Sequence, residues 1–268
     1  MIPAPVRYVR ASDVEHALSL LAEPDAKLVA GGQSLIPVMK LRIARPSVVV
    51  DISRLGLSGV EIRGAELHLG PLTTWDELLG APPELRRPAL AAIAECAHGI
   101  GDLQVRNRGT LGGSLAHADP ASDAPAVLLA LGATLELRSP SGERVVPLAD
   151  FLLGPFSTAL GAQELITDVV VPLPAPGSGS AYVSIEHPAS GFALAGAAAL
   201  VGPGGSRVAV TGIAAQPFLL GDAGSGKALE EAEIFGDRFA PAEYRRELAA
   251  VVARRALERA AERAKEDS

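Results

Sequence analysis

A glycine pair within residues 30–34 is the first feature of the sequence with a clear chemical use. A short apolar strand is predicted at 27–30 and a helix at 34–42, so Gly31-Gly32 turns the chain between them. Glycine has no Cβ, so its backbone N–H groups can approach a ligand closely, and the start of a helix adds further free donors. The alternative is a tight turn in which Ser34 only caps the helix. The residues predicted to hold an anion here are Ala30, Gly31, Gly32, Gln33 and Ser34.

A second glycine pair, Gly112-Gly113, also has hydroxyl side chains on both sides. These hydroxyls could donate to phosphate oxygens, and Asp119 or Asp123 could accept hydrogen bonds from the hydroxyl groups of a sugar. The alternative is a long surface loop whose aspartates cap the next helix. The predicted contacts of this segment are Thr110, Leu111, Gly112, Gly113 and Ser114.

Two neutral turns of this kind could wrap a pyrophosphate from both sides without any basic side chain. No G-x-G-x-x-G follows a strand, so nicotinamide binding of the Rossmann type is not indicated. Residues 221–228 nearly match the P-loop pattern, but Ala228 replaces the hydroxyl residue that would hold Mg²⁺, so a flexible loop is predicted. Ser114, His117 and Asp119 supply the residue types of a hydrolase triad, but no G-x-S-x-G elbow surrounds any serine.

The composition argues against several classes of protein. With 48% hydrophobic and 21% charged residues, the 268-residue chain is ordered and globular, and its net charge of −7 argues against nucleic-acid binding. One cysteine, Cys96, cannot form an internal disulfide, a CxxC zinc site or an iron–sulfur cluster, and the five scattered histidines predict no metal site. The sequence shows no secretory signal and no apolar run long enough to span a bilayer, which predicts a cytoplasmic protein without membrane insertion.

The elements that must position the glycine pairs fall into three blocks. Residues 1–55 are predicted as an αβ unit around the first pair, with a helix at 13–22 opened by a capping box at Ser12. The second block, residues 56–174, surrounds the second pair. Its predicted elements are strands at 66–70, 133–138, 143–147 and 164–171, a short helix opened by the capping box at Thr74, and helices at 83–98 and 124–131.

A Pro- and Gly-rich linker at 172–180 leads to a C-terminal domain, residues 179–268. Three antiparallel strands are predicted there, at 181–186, 193–201 and 207–215. A helix is predicted after them at 241–265. Its predicted apolar stripe is Tyr244, Leu248, Val251, Val252 and Ala256.

Longer motifs resemble a known family. The segments AGGQSLIPVMKLRIARP (30–46) and IGDLQVRNRGTLGGSLAHADPASDAPAVLLALGA (100–133) resemble the FAD-binding medium subunit of the molybdenum hydroxylases, the relatives of carbon monoxide dehydrogenase, xanthine dehydrogenase and aldehyde oxidase. AYVSIEHPASGFALAGAAA (181–199) and EYRRELAAVVARRAL (243–257) are similar to the C-terminal domain of the same family. The resemblance covers almost the whole chain, and its first two motifs are the more specific.

The resemblance implies an α+β protein with a vanillyl-alcohol-oxidase-type (PCMH) FAD-binding fold. Two αβ subdomains, 1–55 and 56–174, would grip FAD, and the C-terminal domain would add a three-stranded antiparallel sheet and helices. The family's pyrophosphate loops fall on the two glycine segments. Its carboxylate near the ribityl chain falls on Asp123, and its apolar contacts to the flavin ring fall on Ile100 and Ile166.

Several positions depart from the family pattern. Gln33 stands where related chains often have His, and Ser114 stands where Asn is common. After Tyr182, many relatives carry a lysine near the flavin, whereas this chain has Ser184. The missing cation leaves the electron acceptor open: a quinone, NAD, oxygen or another oxidant.

The function implied is that of an electron-transfer flavoprotein subunit. Its partners would be a large molybdopterin subunit and a small subunit with two [2Fe–2S] clusters, assembled as a dimer of heterotrimers, and no side chain is predicted to act as a catalytic acid or base. Two alternatives stay open at this point. One is a stand-alone flavin oxidase, for which the C-terminal domain offers only His187 and Tyr182. The other is a nucleotide-binding or assembly module that has lost its cofactor.

Overall fold

The first unit is a small parallel sheet with helices. The computed structural model describes residues 2–80, 83–221 and 226–266. The elements of the first unit are β1 (Arg7–Arg10), α1 (Val14–Leu20), β2 (Lys27–Val29), α2 (Leu35–Lys40) and β3 (Val48–Asp51). The strands pair in the order β1-β3-β2, and both pairs are parallel.

The central strand β3 holds this unit together. Its valines Val48 and Val50 are fully buried and pack with Ala17 and Leu18 of α1. The side chain of Asp13 accepts from the backbone N–H of His16, so Asp13 caps α1, one residue later than the predicted cap. The predicted strand, turn and helix around the first glycine pair are confirmed.

The second unit contains a larger antiparallel sheet. Its strands are β4 (Val60–Arg63), β5 (Glu66–Leu69), β6 (Thr134–Ser139), β7 (Gly142–Pro147), β8 (Leu152–Gly154), β9 (Ser157–Thr158) and β10 (Leu165–Pro172). Its helices are α3 (Trp75–Leu79), α4 (Ala91–Gly99), α5 (Leu103–Arg106), α6 (Leu111–His117), α7 (Ala124–Leu131) and α8 (Leu148–Phe151). Five strands pair in the order β4-β5-β10-β6-β7, while β8 and β9 form a separate ladder.

All eight residues of α7 are buried, and the helix ends at Gly132 with φ 76°, as predicted. The predicted helix 83–98 is wrong over its first half. Two 3₁₀ turns, Pro83–Arg86 and Pro88–Leu90, precede α4 there. Pro88 lacks an N–H, and it holds Arg87 in an extended conformation with ψ 137°, so a continuous helix cannot form.

The C-terminal unit is a helix packed on a sheet. Its elements are β11 (Gly179–Glu186), β12 (Ala193–Gly202), β13 (Gly205–Thr211), β14 (Phe218–Leu219), α9 (Gly226–Glu231) and α10 (Ala242–Glu266). The strands pair antiparallel in the order β11-β12-β13-β14. The three predicted strands are present, and the two-residue β14 extends the sheet to four.

Two details of this unit differ from the expectations. Tyr244 is 47% exposed, and the buried face of α10 includes Arg245 beside Leu248. Arg245 donates to the carbonyls of Leu194 and Gly212, at 2.9 and 2.6 Å, and its buried charge is paired with the carboxylate of Asp237 at 2.8 Å. Of the P-loop-like segment, residues 222–225 lie outside the described residues, and α9 begins directly after them.

The sheet of this unit has helices on both faces. Ala181 packs toward α10, whereas the side chain of the next residue, Tyr182, enters the core of the second unit beside α4 and α7. Strand β11 therefore joins the two cores. In the described ranges, no helix is both long and apolar enough to cross a bilayer.

Glu95 of α4 ties together the elements that place β11. One of its carboxylate oxygens accepts from Arg263 at 2.7 Å and from Arg259 at 3.1 Å, and the other accepts from the backbone N–H of Tyr182 at 2.8 Å. Arg263 also donates to the carbonyl of Ser180 at 2.7 Å. Burial alone would raise the pKa of Glu95, but its bonds to Arg263 and Tyr182 outweigh burial and lower it.

We expect Glu95→Gln to lower the free energy of unfolding by about 1–2 kcal/mol at neutral pH, since a charge-assisted bond is lost. Because the carboxyl pKa is lowered in the folded chain, this stabilisation is present above the unfolded pKa of Glu95 and disappears as pH falls through the folded one. Urea unfolding at neutral and acid pH measures the difference. Glu247→Gln, on the exposed side of α10, should leave the free energy of unfolding unchanged at both pH values. Equal losses of unfolding free energy in Glu95→Gln and Glu247→Gln would contradict the stabilising role of Glu95.

Candidate cofactor-binding site

The two glycine segments lie side by side. A Cβ built on Gly31 would overlap the carbonyl oxygen of Arg108 and lie 2.9 Å from the Cα of Gly109. Only glycine allows two backbones to approach this closely. The loop between β2 and α2 therefore rests against the chain just before Thr110, and the two predicted contact segments form one surface.

The first segment offers a row of free donors. The backbone N–H groups of Gly31, Gly32, Gln33 and Ser34 have no acceptor within the described ranges. Gly32 has φ +77°, a conformation that side chains rarely adopt, and Ser34 makes no side-chain cap to α2. The segment is therefore more than a capped turn, since its donors are available to an anion.

The second segment is different. Its glycines lie in the first turn of α6, and most of its N–H groups are already used. Leu111 donates to the carbonyl of Thr73 at 3.0 Å, and Gly112 donates to that of Pro71 at 2.8 Å. A Cβ on Gly112 would lie 2.5 Å from the Cβ of Pro71, so this glycine is required by packing. The prediction of an open turn at this position is wrong.

Two polar side chains of the second segment remain, those of Thr110, which is buried, and Ser114, which is partly exposed. Thr110 caps α6, its Oγ1 accepts from the N–H of Gly113 at 3.2 Å, and its own N–H has no acceptor in the described part of the chain. Ser114 Oγ lies 2.7 Å from Ser122 Oγ, and either atom can donate. This segment therefore offers one free N–H group and two hydroxyls.

Asp123 is buried and occupies the N-cap position of α7, but its side chain makes no cap hydrogen bond there. The hydroxyl of Tyr182 donates to its carboxylate. Burial raises the pKa of Asp123 to about 7, the hydrogen bond from Tyr182 opposes that rise, and the charge of Glu186 adds to it. Burial and the neighbouring Asp123 raise the pKa of Tyr182 well above its usual range. Asp119, in contrast, accepts from the N–H of Ala121 at 2.9 Å and serves the local turn.

The loop that carries Asp123 is fixed by the C-terminal sheet. Thr211, at the end of β13, donates to the carbonyls of Pro120 and Ser122 at 3.1 and 2.7 Å. The N–H of Gly212 also donates to Pro120 at 3.0 Å. Two elements of that sheet therefore hold Asp123, since Tyr182 lies on β11.

The two predicted apolar contacts lie at the edge of one core. Ile100 follows α4, is partly exposed and packs against the buried cluster that contains Ile166 and Tyr182. Ile166 is 7% exposed, and the residue before it, Leu165, belongs to the core of the first unit. Strand β10 thus joins the first two units next to the site.

Two side chains near these residues were not predicted. Arg106 donates from Nη1 to the carbonyls of Ile100 and Gly101, at 3.2 and 2.8 Å, and so holds the loop after α4. Glu186 lies at the end of β11, where its Oε1 is 3.5 Å from Ser184 Oγ. The bonds of Arg106 are local but belong to no motif that the sequence singles out, whereas Glu186 comes near Gly99 and Asp123 only through the fold.

No group of three or more metal-ligating side chains occurs within the ranges that the structure describes. The donor set at the junction of the first two units is instead backbone N–H and hydroxyl, which suits phosphate oxygens. Beside it lie a buried carboxyl group and apolar side chains. This combination suits a nucleotide with an aromatic ring system.

Known proteins match this chain over most of its length. Residues 4–174 match the family model described as the FAD-binding domain in molybdopterin dehydrogenase. The carbon monoxide dehydrogenase medium chain of Afipia carboxidovorans is 35% identical over 99% of this chain and 100% of its own length. The 6-hydroxypseudooxynicotine dehydrogenase complex subunit alpha of Paenarthrobacter nicotinovorans is 42% identical over 75% of this chain and 68% of its own.

Solved structures of related chains have the same fold as this one. A chain of carbon monoxide dehydrogenase from Hydrogenophaga pseudoflava superposes with a TM-score of 0.90 at 34% identity, covering 98% of this chain and 99% of that one. Quinoline 2-oxidoreductase from Pseudomonas putida 86 also gives 0.90, at 27% identity and 98% and 99% coverage. The predicted fold, family and cofactor are confirmed. The chain belongs to the FAD-binding medium subunits of the molybdenum hydroxylases, the oxidoreductase family to which carbon monoxide dehydrogenase belongs.

Proposed function

We propose that this chain holds FAD where its first two units meet, and that it passes electrons from the [2Fe–2S] clusters of a small partner subunit to an external acceptor. A large partner subunit would carry molybdopterin, and the complex would be a dimer of heterotrimers. Relatives named as medium chains or complex subunits support an assembly of several chains. The row of free N–H groups at Gly31–Ser34, packed against Arg108 and Gly109, is the observation that carries the proposal.

The pyrophosphate would lie across the junction of the glycine segments. Free N–H groups from Gly31 to Ser34 would hold one side, and Thr110 and Ser114 would hold the other through one N–H and their hydroxyls. Because Leu111, Gly112 and Gly113 already donate within the chain, we assign them to shaping the surface. Ala30 and Gln33 complete the loop.

The remaining predicted residues would orient the rest of the cofactor. Asp123 would accept from the ribityl hydroxyls, and Tyr182 would hold that carboxyl in place. Ile100 and Ile166 would contact the ring, with Ser184 near its edge. FAD supplies the redox chemistry, and it can take up and release electrons singly or in pairs. The chain supplies binding and orientation.

The single cysteine supports a division of labour between subunits. Cys96 is buried, and burial raises its pKa well above the usual range, which disfavours the thiolate that an iron–sulfur cluster needs. A cluster also requires several such ligands, and this chain has one cysteine. Iron–sulfur clusters would therefore lie on a partner.

The proposed function is tested on the full chain, alone and with its partners. Bound flavin without substrate turnover by the isolated chain, and turnover in the complex, are the expected results. Turnover by the isolated chain would instead indicate a stand-alone flavin oxidase. Absence of flavin in every preparation would indicate a module without the cofactor.

We expect Gly31→Ala to weaken FAD binding by about tenfold or more, since a methyl group there overlaps the Arg108 carbonyl and separates the two segments. Flavin fluorescence titration of the apo chain measures the dissociation constant. The matched control is Gly204→Ala, in the β12–β13 turn, where a Cβ meets nothing within 4 Å. Unchanged affinity in a folded Gly31→Ala chain would place the cofactor elsewhere.

The buried Asp123 predicts a pH dependence of the apo chain. Its pKa is raised to about 7 in the folded state, so its contribution to stability is complete below the unfolded pKa and is lost as pH rises through about 7. Asp123→Asn should flatten the fall in unfolding free energy between about pH 4 and about pH 7. Urea unfolding measures the profile, with Asp119→Asn in the same loop as the control. A profile that is unchanged in Asp123→Asn would refute this assignment.

A further inference from the structure

Two carboxylates lie together beside the proposed ring of the cofactor. Tyr182 of β11 donates to Asp123, and two residues further along the strand Ser184 Oγ is 3.5 Å from Glu186 Oε1. The same Oε1 lies 3.4 Å from where a Cβ of Gly99 would stand, next to Ile100. Glu186 therefore lies at the mouth of the proposed site, while Asp123 is buried behind it.

The carboxylates lack a counter-ion. Within the described ranges, no lysine or arginine lies within ion-pair distance of Asp123 or Glu186, and burial raises the pKa of Asp123, to which the charge of Glu186 makes a smaller contribution. Serine at position 184 adds no charge. The proposed ring thus borders on an exposed negative charge and a buried acid.

The arginines of the neighbouring elements make their contacts with groups other than Glu186. Arg106 donates to the carbonyls of Ile100 and Gly101. Arg238 stacks on the ring of Phe239, 4.5 Å from its centroid, and that ring contacts His187.

On α10, Arg259 and Arg263 bind Glu95. Their positive charge is therefore matched by a carboxylate of α4. In the described part of the chain neither Arg106 nor Arg238 lies within ion-pair distance of Glu186, so the charge of Glu186 has no cation paired with it.

We propose, resting on the function proposed above, that Glu186 is a specificity-determining residue for the external electron acceptor. Its charge disfavours anionic acceptors, such as a pyridine dinucleotide, relative to neutral or cationic ones. Like charges near a reaction centre lower the encounter rate and the local concentration of the approaching ion, and salt weakens both effects. The selection therefore depends on ionic strength.

The test uses the full chain loaded with FAD, with retention of FAD read first from its visible absorption. The reduced protein is mixed anaerobically with ferricyanide, a trianion, or with hexaammineruthenium(III), a trication. Two oxidant ions take one electron each from every reduced FAD, whose protons pass to the buffer. At low salt, Glu186→Gln should raise the ratio of the anion rate to the cation rate about three- to tenfold, and high salt should remove the difference. Ser184→Lys should shift the ratio in the same direction.

A second readout does not depend on turnover. The midpoint potential of the bound FAD, measured by equilibration with a reference dye, should rise in Glu186→Gln because a nearby negative charge no longer opposes reduction. Glu247→Gln removes the same charge from the exposed side of α10, across the sheet from the site, and should change neither readout.

Equal effects on both oxidants, or a ratio and potential that match those of Glu247→Gln, would overturn the inference while leaving the proposed function intact. A native chain that binds no FAD would overturn the proposed function and this inference with it. A charge-dependent ratio in a chain with normal FAD absorption supports both.

Discussion

A backbone contact at Gly31 is the constraint on which the site depends. Where the chain passes Arg108 and Gly109, no side chain can be accommodated at position 31. The contact brings the loop after β2, with its free N–H groups, next to the cap of α6. It also joins the parallel sheet of the first unit to the helical part of the second, so the fold creates the proposed binding surface at the boundary of two structural units.

The C-terminal unit contributes to the same surface from the other side. Its sheet is covered by α10 on one face, while Tyr182 projects from the other face into the core of the second unit. Thr211 and Gly212 fix the loop before Asp123, and Glu95 fixes the backbone of Tyr182. A buried acid with a raised pKa is costly unless it is held in place, and these bonds hold it.

Much of the fold could be predicted because its periodicity is strong. The continuous apolar run of α7, its glycine cap and the three long strands of the C-terminal sheet each carry a local signal. The helix predicted at 83–98 is wrong at its start because Pro88 interrupts it. Strand β4 was not predicted, since its four residues alternate too briefly to stand out. The second glycine pair predicts a turn because glycine is a poor helix former. In the structure the pair lies in α6, whose first turn is stabilised by hydrogen bonds from Leu111 and Gly112 to the connection between β5 and α3.

The part of the candidate site that has a local sequence signal was predictable as well. Sequence patterns predict an anion-binding loop at 30–34 and leave Asp119 and Asp123 as alternative acids, between which the family resemblance selects Asp123. They do not show which N–H groups are already used, nor that Tyr182 and Glu186 lie beside Asp123, because those relations join residues far apart in the chain.

The most direct test of the account is ¹H–¹⁵N NMR of the apo chain titrated with FAD. We expect the amide resonances of Gly31, Gly32, Gln33 and Ser34 to shift strongly, as free donors gain an anionic acceptor, and that of Gly112 to shift less. Stoichiometric FAD binding with no shift at residues 31–34 would contradict the account.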